Sequence, residues 1–172
     1  MSLFSKLRPD MLAKTVRDVD YGAVYASGIR GIIFDIDNTL VAHGMPADGE
    51  VKSFLDGLSA LGFGICLISN NKESRAEPFA SFCGTKCLCR AGKPRRSAFY
   101  RAMDLLGTGP SETLFVGDQL LTDVLGANRA GLTTCMVIPV DRRSERGDIP
   151  MFLKRFLEYG VLRRRKRFDE RA

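Results

Sequence analysis

Five short stretches of the chain are apolar almost without a break: residues 31–36, 64–69, 86–89, 113–117 and 133–138. A strand with one wet face alternates apolar and polar residues, so continuous runs of this length predict strands covered on both faces, as in a parallel sheet. Between the runs, apolar positions recur at helical spacing. Over residues 50–61, Val51, Phe54, Leu55, Leu58 and Leu61 share one face, and over 95–106 Ala98, Ala102, Leu105 and Leu106 do the same. Segments 73–82 and 121–130 read as shorter helices. Alternating strands and helices predict an α/β fold with a doubly wound parallel sheet. No repeat or linker interrupts the pattern, so residues 1–172 read as one domain: a lead-in segment 1–29, a core 30–140, and a C-terminal helix with a basic tail over 141–172.

In such sheets functional groups gather just beyond the carboxyl ends of the strands. The first run leads into "GIIFDIDNTL", which places Asp35 and Asp37 two residues apart, followed by Asn38 and Thr39. A turn could use one aspartate, but two held close repel unless a cation lies between them. The second run ends in "ISNN", with Ser69 and Asn70; the third is followed by "RAGKP", with Lys93; the fourth ends in "VGDQLLTD", with Gly117, Asp118 and Asp123. Each piece has a plain alternative. "SNN" can cap a helix, "GKP" can be a solvated loop, and "GDQLLTD" can be a turn before a helix. Together, in this order and at four strand ends, they bring three acids, a hydroxyl and a lysine to one rim. That is the composition of a site for a metal and a phosphate.

Composition narrows the class without changing it. The length suits one domain with a sizeable core. A hydrophobic share of 45% and a charged share of 27% are ordinary for a soluble globular protein. No apolar stretch approaches the roughly 20 residues of a membrane span, and "MSLFSKLRPDMLAKTVRDVD" lacks a signal-peptide core, so a cytoplasmic place is expected. Cys66 and Cys135 lie inside strand-like runs, as small buried hydrophobes do. Cys83, Cys87 and Cys89 are too irregularly spaced for a four-ligand zinc set, and reduced thiols are the default.

Charge is uneven. Residues 1–141 balance at 15 Lys/Arg against 15 Asp/Glu, while residues 142–172 carry 11 against 5, the whole of the net +6. The excess peaks in "RRRKR", residues 163–167, after a stretch with Pro150 and apolar Phe152, Leu153, Phe156 and Leu157 at helical spacing. A basic tail on a neutral core predicts a partner of its own. An anionic membrane surface, worth about 1 kcal/mol per basic residue, is favoured over nucleic acid, because few aromatics are interleaved for stacking on bases. A peripheral place at the inner membrane face follows from that expectation.

The set "DIDNT", Ser69, Lys93 and "GDQLLTD" resembles the four motifs of the haloacid dehalogenase (HAD) superfamily of phosphohydrolases, over about residues 30–140. With "DNT" where many relatives carry glycine, it looks most like the small subfamily III proteins of the YqeG type, a group that includes phosphatidylglycerophosphate phosphatases of eukaryotic organelles. The resemblance implies a Mg²⁺-dependent phosphatase acting on a phosphorylated substrate. Asp35 would be the nucleophile, Asp37 the general acid and base, and Lys93 the balancing cation. Thr39, Ser69, Asn70 and Lys93 would hold the phosphate. Asp35, Asp118 and the main-chain carbonyl of Asp37 would hold the metal, with Gly117 and Asp123 in support and Asp123 orienting water around the ion. About ten residues separate Thr39 from Glu50, and Ser69 and Lys93 are 24 apart. Neither gap holds a cap domain, so a capless, open site is expected unless a homo-oligomer supplies a lid. His43 reads as a plain loop residue. Phosphatidylglycerophosphate is the leading substrate; a soluble sugar phosphate or nucleotide, and a non-catalytic RNA- or ribosome-associated protein of the same fold, are the alternatives.

Overall fold

The computed structural model describes residues 6–141; the helix and basic tail expected beyond Asp141 lie outside the described residues. Along the chain come β1 (Met11–Ala13), α1 (Tyr21–Ala26), β2 (Gly31–Phe34), α2 (Gly49–Ala60) and β3 (Gly64–Ile68). Then follow α3 (Glu73–Cys83), β4 (Lys86–Leu88), α4 (Arg96–Leu106), β5 (Thr113–Gly117), α5 (Leu125–Ala130) and β6 (Thr133–Val137). The strands form one parallel sheet in the order β1-β6-β5-β2-β3-β4. The chain winds outward from β2 through β3 and β4, then returns to the other side of β2 with β5. The loops leaving β2 and β5 therefore open a crevice at the carboxyl edge of the sheet, the usual ligand position in open α/β sheets.

The apolar runs are explained by burial on both faces. Ile32 and Phe34 of β2 pack with Leu55 and Leu58 of α2 and Phe79 of α3, while Ile33 between them packs with Phe99 of α4 and Ala127 of α5. β3 and β5 divide the same way, Leu67, Leu114 and Val116 to the first face and Cys66, Ile68 and Phe115 to the second. Each such side chain contributes about 1.5–3 kcal/mol when fully buried. Asp48 caps α2 by accepting from the Val51 amide at 2.8 Å, satisfying one of the first-turn donors. Where α5 meets α4 the backbones come close: a Cβ on Gly126 would lie 2.5 Å from the Phe99 ring and 3.0 Å from Pro94 Cα.

The five expected strands are present, and a sixth, β1, lies in the lead-in segment. Three residues are too few to show a period, and tertiary bonds hold them. Asp10 Oδ2 accepts from the Thr134 amide at 2.8 Å and from its hydroxyl at 3.0 Å. Asn128 Nδ2 donates to the carbonyls of Lys6 and Arg8 at 2.9 and 2.8 Å. The cysteines are free thiols, with Cys87 and Cys89 3.9 Å apart at sulfur beside the edge strand β4. Burial pushes Cys66 up to about 12 and Cys135 up to about 11, so both stay protonated. Residues 35–48 join β2 to α2 directly, and α3 and β4 fill the interval from Ser69 to Lys93, leaving no cap domain on the core. Among the described residues, no helix is long and apolar enough to cross a membrane.

Candidate active site

Asp35 is the first residue past β2, and its amide still bonds to the Val116 carbonyl at 3.0 Å. Lys93 Nζ lies 2.5 Å from Asp35 Oδ1 and 2.8 Å from Asp123 Oδ1. The second contact is a buried ion pair. Thr39 Oγ1 stands 3.5 Å from Asp35 Oδ2 and 3.4 Å from Asp118 Oδ1, long contacts that span the two acids. All five side chains are buried. Carboxylate oxygens of Asp35, Asp118 and Asp123 lie within 4.8 Å of one another.

Each member is delivered by local backbone chemistry. Asn70 holds the lysine loop from both sides: its Oδ1 accepts from the Lys93 amide at 2.8 Å and its Nδ2 donates to the Lys93 carbonyl at 3.2 Å. The Lys93–Pro94 bond is cis. Ser69 is pinned to β4 by its main chain, and its Oγ accepts from the Asn71 amide at 3.1 Å. Asp123 lies in a π-helical turn, Leu120–Val124, ahead of α5, a wider turn often found at functional sites. The turn brings its carboxylate back over the end of β5, where Oδ2 accepts from the Gln119 amide at 3.0 Å. Gly117 makes room for this. A Cβ there would lie 2.6 Å from Asp123 Oδ2, so any other residue would displace the acid.

Electrostatics sets the chemistry. Burial pushes Asp35 up to about 6; Lys93 pulls it back, and Asp123 and Asp37 add repulsion. Burial disfavours the charge on Lys93, yet Asp123 and Asp35 outweigh it and hold the ammonium above its ordinary range. Three buried carboxylates thus face one buried ammonium. Uncompensated charge is costly in such surroundings. The donor set is all oxygen and the excess is negative, which fits a hard divalent cation such as Mg²⁺.

Asp37 is held differently. Its Oδ1 accepts from the Gly44 amide at 2.8 Å and from Arg75 Nη2 at 2.9 Å, and its Oδ2 from Asn71 Nδ2 at 2.7 Å. Each of these partners is a donor, and together they fix where the carboxylate points. The same Arg75 nitrogen donates to the Met45 carbonyl at 2.7 Å, tying loop 42–45 to α3, and the guanidinium lies 5.5 Å from the Phe79 ring centroid. Asn38 turns the chain just after Asp37, in the left-handed region at φ 62°, which asparagine tolerates better than most residues. His43 is exposed, its Nδ1 3.9 Å from Asp37. Asp35, Asp37, Thr39, Ser69, Lys93, Asp118 and Asp123, all expected at the rim, lie around one crevice. Asn71 and Arg75 were not expected there. The available signal was their spacing, an asparagine ending "SNN" and an arginine four residues on, at the start of α3.

Comparison with known proteins agrees with the geometry. A family model described as "HAD-hyrolase-like" matches residues 90–139. "Probable phosphatase YqeG" of Bacillus subtilis is 35% identical over 133 residues, covering 77% of each chain. The fold and the site define an α/β phosphatase of the HAD type, and the chain belongs to the HAD-like hydrolases. Within that class it is related to the YqeG phosphatase, and more distantly to "Phosphatidylglycerophosphate phosphatase 1, chloroplastic" of Chlamydomonas reinhardtii, 28% identical over 165 residues. That match takes in 90% of this chain but 61% of the algal protein. Among solved structures, a putative HAD superfamily (subfamily III A) hydrolase from Legionella pneumophila superposes with a TM-score of 0.52 at 21% identity, covering 66% of this chain and 69% of that one.

Proposed function

We propose that the protein is a Mg²⁺-dependent phosphomonoester hydrolase working through an aspartyl-phosphate on Asp35, with phosphatidylglycerophosphate as its substrate. One observation carries the reading: Asp35 stands at the crevice beside the central strand, paired with Lys93 and flanked by two further buried acids. A divalent cation held by Asp35, Asp118 and the main-chain carbonyl of Asp37 would offset these acids and a phosphate dianion.

The chain's own groups perform the transfer. A carboxylate oxygen of Asp35 attacks phosphorus as the ester P–O bond breaks, and no base is required because a carboxylate is already a nucleophile. Asp37, turned out of its clasp and carrying a proton, gives that proton to the leaving oxygen. Water then attacks the phosphoryl group and passes a proton to Asp37 while the Asp35–phosphorus bond breaks. Asp35 is again a carboxylate, Asp37 is again protonated, and inorganic phosphate leaves. Ser69 and Thr39 donate to the phosphoryl oxygens, and Lys93 balances their charge.

Three observations support the lipid substrate. The algal relative carries that activity in its name. The capless core leaves the crevice free for a headgroup still seated in a bilayer. The basic tail suits an anionic surface, which also favours a peripheral place on the membrane. The test is turnover of aryl phosphate, of phosphatidylglycerophosphate and of a panel of soluble sugar phosphates and nucleotides, with and without Mg²⁺. Activity that requires Mg²⁺ and Asp35 is expected, with the lipid preferred. Preference for a soluble metabolite by about 100-fold, some 2.7 kcal/mol, would overturn the substrate; no turnover of any phosphate would overturn the enzyme.

A further inference from the structure

Of the exposed large apolar side chains on the described core, three lie past strand ends at the carboxyl edge of the sheet: Met45 at 55%, Ile138 at 41% and Val140 at 54%. Met45 lies on one flank, where its carbonyl takes the Arg75 bond that also holds Asp37. Val140 lies on the other, its amide donating to the Asn38 carbonyl at 2.9 Å, with Ile138 just before it past the end of β6. The Asp141 amide is 3.4 Å from Asn38 Oδ1, so the last described residue lies beside the site, and the sequence beyond it carries the net +6. The loops after β3 and β4 and the first turn of α4 add exposed Lys72, Arg95 and Arg96 to the same edge.

We propose that the carboxyl edge of the sheet is a membrane-docking face. Met45, Ile138 and Val140 enter the headgroup layer of an anionic bilayer, while exposed Lys72, Arg95 and Arg96 hold anionic headgroups. The inference rests on the lipid substrate proposed above and adds to it an orientation and named residues. Isolated exposed hydrophobes are normal. These flank the opening through which a bilayer-held phosphate must enter, and apolar contact combined with basic charge is what binds proteins to an interface. The membrane itself would then complete a site that has no cap.

The chain has no tryptophan, so single reporters can be placed in the full-length protein by Met45→Trp and Val140→Trp. Leu61→Trp and Phe82→Trp provide controls that are equally exposed, at 54% and 51%, but sit at the far ends of α2 and α3. With vesicles of phosphatidylglycerol and brominated phosphatidylcholine, emission from positions 45 and 140 is expected to shift to the blue and to be quenched at least about twofold more than from 61 and 82. Equal quenching at all four positions, stronger quenching at 61 and 82, or no vesicle binding would overturn the docking face. Hydrolysis of the same lipid phosphate dispersed in detergent separates the two readings. Turnover in detergent without quenching in vesicles overturns the docking face and leaves the substrate standing. Quenching as expected, with aryl phosphate hydrolysed and lipid phosphate refused in both forms, supports the face and overturns the substrate.

Discussion

Asp35 and Asp37 are two residues apart on one loop, yet their surroundings follow opposite rules. Asp35 shares a buried pocket with Asp118, Asp123 and one lysine; burial raises its carboxyl to about 6, with Lys93 pulling it back and Asp123 adding to the rise. Asp37 sits against a loop and the first turns of α3, where an amide, a side-chain amide and a guanidinium all donate to it. The first environment is built around a deficit of positive charge. The second already satisfies its charge and fixes where it points. In a regular strand two acids at i and i+2 would share a face; here β2 ends at Phe34, and past it Asp35 joins the acids that follow β5 while Asp37 meets Asn71 and Arg75 beside β3 and α3. In the mechanism proposed above, a single loop would thus serve a nucleophile that must stay still and a proton carrier that must turn.

Breaking the first environment should have the largest effect. Asp35→Asn removes the attacking oxygen, and kcat on an aryl phosphate is expected to fall by about 10³ or more while the fold persists by circular dichroism. Lys93→Ala leaves Asp35 and Asp123 buried without their cation. It is expected to cost about 3–5 kcal/mol, read as a lower denaturant midpoint, and retention of the full midpoint would mean that the pair does not hold the pocket. Adding Mg²⁺ to the wild-type chain at about 100 times its dissociation constant should stabilise it by about 2.7 kcal/mol. The accompanying rise in Tm should vanish in Asp118→Asn. Arg75→Ala tests the second environment by loosening Asp37 without touching the acid cluster. Its expected signature is a fall in kcat of about 10–100-fold, with the Mg²⁺-dependent rise in Tm intact and partial recovery in Arg75→Lys. If Arg75→Ala instead abolishes the Mg²⁺ effect, the two environments are one unit and the division above is wrong.

The sheet was legible in the sequence because burial on both faces writes itself as unbroken apolar runs, and the crevice because chemistry collects past the ends of those runs. Asp35, Lys93 and Asp118 could be placed on one rim before any geometry was known. β1 could not be foreseen, since a three-residue strand is defined by its partner, and the bonds that seat it join Asp10 to Thr134, 124 positions apart. The clasp on Asp37 was hidden for a related reason. Asn71 and Arg75 look like ordinary polar residues at a helix start, and only the order of β2 beside β3 brings them within reach of an acid 38 positions away. Asp123 was expected to orient water around an ion. The π turn sets it within the acid cluster and against Lys93, a placement that depends on one turn's bonding pattern rather than on residue type.

The edge strand β1 has a consequence for how the molecule is made. It precedes the rest of the sheet in sequence but, among the described residues, pairs with β6 alone, near the end of the described core. During synthesis Met11–Ala13 must wait unpaired until Val137 has been added, and for that interval the outer side of β5, and then of β6, is an open template. At the usual rates of translation, about 5–20 residues per second, residues 14–137 take on the order of ten seconds to follow. The last join in the sheet is therefore also its longest-range one, and a nascent chain halted before β6 would carry an unclosed edge that a sister chain could fill.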